Sequence, residues 1–349
     1  MNFSCRVILC LFFLFSLCEV FAGGRREKPA LASAYGPSPE QQSPSGTEGV
    51  NWDTTPGLSA LAEPATSSAP AETPNVPDES RAEKICRALA AAYPDRIGEP
   101  LFLDGDWTIQ VYGERFYFAE GRLLPASLRD KASEYAPQPF YNYPAELPSW
   151  QPPTAEESAR IKAQEALRSK NPLKRSQLFY DALWRSHNKD ESWEHVKQIR
   201  FLGYPVNVHY SILTQLSLVE EQILRTSQTN SAVRQWISNL KTIDAWNWRN
   251  ISATESRSYH AYGAAIDFLP KSLGGLETYW LWTSRNISDW WTVPYSKRYQ
   301  PPDEVIKAFE SFGFIWGGKW RNYDTMHFEY RPEILVLSGI AQTDLRDLH

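Results

Sequence analysis

Two short, well-separated stretches of the sequence carry side chains that bind metal ions and transfer protons. The first places His260 seven positions before Asp267, and the second places Asp324 three positions before His327. Zinc in a catalytic site takes three protein ligands from His, Asp, Glu or Cys and leaves a fourth position for water. His260, Asp267 and His327 could form such a ligand set, and Asp324 could act as the general base that takes a proton from water.

The residues around these stretches indicate how the chain could bring them together. Gly263 predicts a turn that returns the chain from His260 toward Asp267 on a following strand. His327 would come from a neighbouring strand, where Glu329 lies on the same face because side chains alternate with a period of two. Glu329 is therefore an alternative base or, as we favour, a partner that orients His327.

Taken together, the motifs resemble those of the M15 zinc peptidases. They comprise S-x-H-x-x-G-x-A-x-D from Ser258 to Asp267, a Gly-Gly-Lys-Trp run ending at Trp320, and D-x-x-H-F-E from Asp324 to Glu329. The family includes VanY-type D-alanyl-D-alanine carboxypeptidases, D-Ala-D-Ala dipeptidases and L-alanyl-D-glutamate endolysins. The resemblance covers about residues 196–338.

The resemblance implies a role for individual residues. It implies three zinc ligands, which are His260, Asp267 and His327. It implies that Asp324 is the general base, at a position where family members have Asp or Glu. It also implies an arginine near the substrate, for which we choose Arg249, with Arg257 and Arg321 as alternatives.

Several further residues are candidates for binding the substrate or for supporting the ligands. They are Ser258, Glu329 and Trp320. Ser258 could donate a hydrogen bond to the substrate or a ligand, or could serve only as a turn residue. Six tryptophans crowd the region from the first motif to the second, and we expect some of them to wall the cleft. These are Trp280, Trp282, Trp290, Trp291, Trp316 and Trp320.

Hydrophobic periodicity over residues 196–338 predicts an α+β domain. The helical segments are Ile212–Ile223, Val233–Leu240 and Val305–Phe309, and the strand-like runs are Ala264–Leu269, Phe314–Trp316 and His327–Tyr330. This order predicts a small antiparallel sheet with packed helices. The resemblance implies that this is a DD-peptidase or hedgehog-like fold that carries the zinc site.

A small α+β module is predicted over residues 78–143. A capping box at Ser80 opens a helix that ends at Tyr93, and Gly113 turns a hairpin. The module's aromatic side chains could bind a glycan, but we favour packing against the next domain.

A linker and helical connector are predicted over residues 144–195. Prolines punctuate the linker, and a capping box at Thr154 opens a charged helix. A second helical segment runs from Arg175 to Trp184. We expect these helices to be solvated and two-faced.

The chain ends have a different character. Residues 1–22 have the pattern of a secretory signal peptide, with Arg6 before a short apolar run. An uncleaved membrane anchor and lipidation at Cys18 are the alternatives. Residues 23–77 are rich in Pro, Ser, Ala and Thr, which predicts a disordered tether or a cleaved leader. Residues 339–349 form a C-terminal tail.

Composition limits the class of protein further. The chain has 349 residues, of which 42% are hydrophobic, so a sizeable core can form. The net charge of −5 gives no basic excess, so the sequence argues against a nucleic-acid partner. If the signal peptide is removed, Cys86 is the one cysteine left, and no intramolecular disulfide can form.

These observations favour a zinc-dependent peptidase that is exported to the periplasm or the extracellular space and hydrolyses peptidoglycan stem peptides. The arginines near the site favour a D-alanyl-D-alanine carboxypeptidase, since a terminal carboxylate needs a cation. An L-alanyl-D-glutamate endopeptidase is the alternative activity. A third interpretation is a non-catalytic zinc-containing module that binds cell wall or protein. Membrane association requires an uncleaved signal or a lipid at Cys18.

Overall fold

The structure is a computed structural model that describes residues 80–170, 174–251, 254 and 256–343. The predicted signal peptide over 1–22 and tether over 23–77 lie outside the described residues, as does the end of the predicted tail. Within the described part, no helix combines the length and the apolar character needed to cross a bilayer.

All strand pairings among the described strands are antiparallel. In chain order the strands are β1 (Leu101–Leu103), β2 (Asp106–Val111), β3 (Glu114–Tyr117), β4 (Val196–Phe201), β5 (Tyr204–His209), β6 (Leu240–Asp244), β7 (Ala265–Pro270), β8 (Phe314–Trp316) and β9 (His327–Tyr330). They form a sheet ordered β1-β2-β3, a hairpin β4-β5 and a central sheet ordered β6-β7-β9-β8.

Helices pack around these sheets. In chain order they are α1 (Arg81–Ala92), α2 (Ala155–Lys170), α3 (Leu178–Trp184), α4 (Lys189–Glu194), α5 (Leu213–Thr229), α6 (Ser231–Ser238), α7 (Trp280–Thr283), α8 (Asp303–Ser311) and α9 (Pro332–Leu337). Helices with small antiparallel sheets confirm the predicted α+β class.

The central sheet packs one face against a helix and carries the candidate ligands of its strands on the other. On β7 and β9, Phe268 and Phe328 are buried and pack with Phe309 of α8, at ring-centroid distances of 5.6 Å and 4.2 Å. Because side chains alternate along a strand, Asp267 and His327 lie on the opposite face. These two residues stand directly opposite each other in the β7–β9 register.

The N-terminal module has the predicted helix and hairpin. Ser80 caps α1 by accepting a hydrogen bond from the backbone N–H of Glu83 at 3.2 Å. Gly113, with φ of +90°, lies in the β2–β3 turn. Strand β1 was not predicted because its three side chains are all exposed and show no apolar alternation.

The module shares a hydrophobic core with the central sheet, which is the packing that we favoured. Helix α1 contacts α9, and the ring of Tyr93 meets that of Tyr330 at a centroid distance of 6.2 Å. One cluster of buried side chains runs from Ile85 in α1 to Leu335 in α9. Cys86 lies in this core as a free thiol.

The predicted connector is solvated only in part. Thr154 and Glu157 exchange two hydrogen bonds, of 2.8 Å and 3.1 Å, so the capping box that opens α2 is confirmed. The expectation of a second solvated helix was wrong, because every residue of α3 after its first is buried. Phe179 packs on Phe116 of the module, which places α3 inside the core.

Candidate metal centre

A short 3₁₀ helix, Tyr259–Tyr262, holds the first candidate ligand. Ser258 caps it, since its Oγ accepts a hydrogen bond from the backbone N–H of His260 at 3.3 Å. Gly263 ends it with φ of +69°. A Cβ at this position would lie 2.7 Å from the backbone nitrogen of His209, so the glycine permits close packing on the end of β5.

Three side chains converge on one point. His260 Nε2 lies 3.1 Å from Asp267 Oδ2 and 3.2 Å from His327 Nδ1, and His327 Nδ1 lies 2.9 Å from Asp267 Oδ1. All three ligand atoms lie within 4.8 Å of one another. Zinc–nitrogen bonds of about 2.0–2.1 Å would give tetrahedral edges of about 3.3 Å. The donor set and its spacing therefore fit a zinc ion.

Partners behind the two imidazoles fix which nitrogen faces this point. His260 Nδ1 donates to the carbonyl oxygen of Ala245 at 2.5 Å. His327 Nε2 lies 3.2 Å from Glu329 Oε2. Each ring thus has one nitrogen committed to an outer partner and the other directed at the common centre, which is the usual arrangement of metal-binding histidines.

Electrostatics within the triad keep its carboxylate ionised. Burial alone would raise the pKa of Asp267, but His260 and His327 lower it well below its ordinary value. Burial alone would lower the pKa of His327, but Asp267 and Glu329 raise it to about 10. Without a metal, the triad therefore holds a proton that a cation would displace.

Asp324 lies beside the triad without being part of it. Its Oδ1 atom is buried and has no hydrogen-bond partner among the described residues, while the carboxylate accepts from the backbone N–H of Met326. Burial and the negative charge of Asp267 raise the pKa of Asp324 to about 7. A carboxylate with one free oxygen and a pKa near neutrality is suited to take up and release a proton.

The three candidate arginines have different environments. Arg257 pairs with the buried Asp181, and Arg321 donates to Gln164 of α2 at 2.9 Å. Arg249 is half-buried, and its positive charge offsets a small part of the rise that burial and Asp267 cause in the pKa of Asp324.

The tryptophans divide between the site and the core. Trp320 lies beside the centre, with its ring centroid 5.5 Å from that of His327. Trp316 is fully buried and donates to the carbonyl oxygen of Thr325 at 2.9 Å. A separate buried cluster contains Trp280, Trp290, Trp291, Tyr323 and Ile161. Trp320 is thus the tryptophan of the six that the structure shows against a candidate ligand.

Sequence reasoning missed two contributors from β6. Ala245, directly after this strand, supplies the carbonyl oxygen that orients His260, and Asp244 pairs with Asp267 in the sheet. No sequence signal identifies a backbone carbonyl as a ligand partner. Strand β6 itself was hidden because Leu240 continued the helical spacing of the preceding segment.

Two parts of the chain match models of known protein families. Residues 86–140 match a family described as a domain of unknown function (DUF8518). No curated protein and no solved structure gives a significant match. Residues 252–330, which span all four site residues from His260 to His327, match the M15 peptidase family described as D-alanyl-D-alanine carboxypeptidase. That match supports an M15 peptidase in this part of the chain.

Proposed function

We propose that this protein is a zinc-dependent peptidase that hydrolyses the stem peptides of peptidoglycan, as a D-alanyl-D-alanine carboxypeptidase. The observation that carries the proposal is the convergence of His260, Asp267 and His327 within 4.8 Å, beside the carboxylate of Asp324, which has a buried oxygen that no described residue contacts by a hydrogen bond. The family match supports peptidase activity on peptidoglycan-like substrates.

Each residue then has a chemical task. When bound by His260, Asp267 and His327, zinc would polarise the scissile carbonyl and make water more acidic. Asp324 takes the proton from the attacking water and delivers it to the leaving amine nitrogen. Its pKa of about 7 suits both halves of that exchange, because the group can gain and lose a proton near neutral pH.

Arg249 supports the carboxypeptidase over the endopeptidase. A carboxypeptidase must bind the terminal carboxylate of its substrate, and a guanidinium does so with paired hydrogen bonds. Arg257 and Arg321 have partners elsewhere, whereas the Arg249 side chain makes one hydrogen bond to a described residue, a long one of 3.4 Å to the carbonyl oxygen of Asn250. We therefore assign the terminal carboxylate to Arg249.

The proposed function requires that the protein is exported from the cytoplasm. The pattern of residues 1–22 supports a protein that works in the periplasm or outside the cell, where stem peptides are found.

The test is hydrolysis of defined muropeptides by the purified chain loaded with zinc. We expect loss of one D-alanine from a pentapeptide stem, detected by mass spectrometry, and no product after chelation. A pentapeptide with an amidated C-terminus should be a poor substrate. Cleavage between L-alanine and D-glutamate would show the endopeptidase instead. If no stem peptide is cut by the zinc-loaded protein, the non-catalytic module is the better interpretation.

A further inference from the structure

A row of buried charged side chains leads from the metal centre to the N-terminal module. Glu329 Oε2 lies 3.2 Å from His327 Nε2, and its Oε1 accepts a hydrogen bond from Arg331 Nη1 at 3.3 Å. Arg331 Nε donates to Glu333 Oε1 at 2.5 Å. Tyr93 of α1 donates its hydroxyl proton to Glu333 Oε2 at 2.8 Å.

The side chains of this row have little freedom to move, because they are buried and their carboxylate oxygens all have hydrogen-bond partners. Glu333 is 0% exposed, Arg331 and Tyr93 are 1% exposed, and Glu329 is 8% exposed. Both oxygens of each carboxylate have a named partner. In a low-dielectric interior, loss of one member leaves a charge without compensation, so the remaining side chains must move.

Arg331 is the centre of this arrangement and contacts both halves of the candidate site. Through Glu329 it reaches His327 on β9. Its guanidinium also lies over the ring of Tyr259, 4.9 Å from the centroid, and Tyr259 immediately precedes the ligand His260. A displacement of Arg331 would therefore disturb the supports of two ligands.

The module anchors Arg331 from the other side. Arg331 Nη2 donates to the carbonyl oxygen of Pro139 at 3.1 Å, and Tyr93 fixes Glu333. Tyr93 and Pro139 both lie within 86–140, the segment matched by a family of unknown function, and Arg331 lies just beyond the M15 match that ends at residue 330. The contact thus joins two regions that the comparisons treat separately.

We propose that the N-terminal module is part of the peptidase site, because it positions the ligand His327 through Arg331. Tyr93, Arg331 and Glu333 are positioning residues rather than catalytic ones. They fix the Glu329 carboxylate so that it accepts from His327 Nε2 and leaves Nδ1 directed at the metal. The inference rests on the proposed metal centre.

Zinc affinity tests this role directly, with a competing chromophoric chelator and no substrate. In the purified full chain, Glu329→Gln should weaken zinc binding by about tenfold to a hundredfold, as is usual for partners of metal-binding histidines. Tyr93→Phe removes only a hydroxyl that lies three hydrogen bonds further along the row than Glu329, and it should weaken binding by about threefold to tenfold. The cobalt(II) form of each variant should show a shifted visible spectrum.

Tyr299→Phe is the matched control. It also loses one buried hydrogen bond, from Trp236 Nε1 to the Tyr299 hydroxyl at 2.9 Å, but on the apolar side of the central sheet, where Trp236 packs on Phe268. It should reduce thermal stability about as much as Tyr93→Phe and leave zinc affinity and the cobalt spectrum unchanged. Glu333→Gln serves as a second test of the row if Tyr93→Phe does not fold.

A double variant separates positioning from general destabilisation. Adding Tyr93→Phe to Glu329→Gln should cause a smaller loss of zinc affinity than Tyr93→Phe causes alone, because part of the module's effect passes through Glu329. Equal zinc affinity of Tyr93→Phe, Glu333→Gln and the unaltered chain would overturn the inference. Failure of the unaltered chain to bind zinc would instead refute the proposed function, so the two outcomes are distinguishable.

Discussion

At the scale of single residues, Asp324 differs from the triad in that one of its carboxylate oxygens has no partner among the described residues. We expect Asp324→Asn to retain zinc, because the residue is not among the ligands, and to lower kcat by about 10²–10⁴-fold, because an amide cannot take up the proton. Metal analysis and hydrolysis assays on the same sample measure both effects.

The exposed Asp130 provides the matched control, since Asp130→Asn makes the same chemical change away from the site and should leave kcat unaltered. Hydrolysis at the parental rate by Asp324→Asn would mean that another group is the base.

The charge state of His327 predicts how zinc binding depends on pH. Asp267 and Glu329 raise its pKa to about 10, so the metal-free ring is protonated at pH 7.5. Zinc needs the neutral ring and must displace that proton, so affinity should rise about tenfold per pH unit below the raised pKa. Calorimetry in buffers of different ionisation enthalpy should detect about one proton released per zinc bound. Affinity that does not change between pH 6 and pH 9 would contradict this.

At the scale of elements, the turn between the 3₁₀ helix and β7 sets the distance between the candidate ligands His260 and Asp267. Gly263→Ala would force a methyl group to within 2.7 Å of the His209 backbone at φ of +69°, which we expect to cost about 3 kcal/mol of folding free energy and to displace His260. Thermal or denaturant unfolding together with zinc titration measures both consequences.

Gly274→Ala isolates the backbone contribution to this cost. Gly274 has φ of +60° but nothing within 4 Å of an added Cβ, so its replacement should cost only about 1 kcal/mol and leave zinc affinity intact. Equal losses for the two variants would show that close packing on β5 is unimportant.

Local patterns predicted much of what surrounds the candidate metal centre. The strand alternation of His327 and Glu329 placed both on one face, and Gly263 predicted the turn before Asp267, because these signals lie within a few residues of sequence. The partners that hold Arg331 could not be inferred in the same way. Tyr93 and Glu333 are 240 positions apart, and no local pattern reports which distant hydroxyl meets a buried carboxylate.

Helix α3 shows a second limit. We predicted that the segment from Arg175 to Trp184 is part of a solvated connector together with the charged helix before it. Arg175, which precedes the helix, donates to the carbonyl oxygen of Pro137, and Asp181, which lies within the helix, pairs with Arg257. Charged residues indicate solvent exposure only when they have no partner inside the protein. The partners of Arg175 and Asp181 are distant in sequence, so no local pattern could identify them.

At the scale of the whole molecule, the shared core predicts that the module and the central sheet unfold together. Leu89 of α1 is 0% exposed, so Leu89→Ala should lower the free energy of unfolding by about 2–5 kcal/mol. In hydrogen exchange, the slowest amides of β2 and of β7 should lose protection by equal amounts, since both exchange through the same global opening.

Leu224→Ala, at a position that is 45% exposed on α5, should change neither set of amides appreciably. Loss of protection restricted to β2 in Leu89→Ala would show instead that the module opens independently of the central sheet.

The alignment of the last strand has a consequence for the order of events in maturation. Asp267 faces His327 across β7 and β9, and a slip of one residue would bring Met326 or Phe328 into that place and turn the imidazole away. β9 is the last of the described strands to leave the ribosome, and it carries the proposed ligand His327. A zinc ion therefore cannot be bound by all three ligands before β9 has paired in the correct register. The rate at which a refolding chain takes up zinc would therefore report the rate of the final step of sheet assembly. A chain in which β9 is mispaired would be recognised because it binds no zinc.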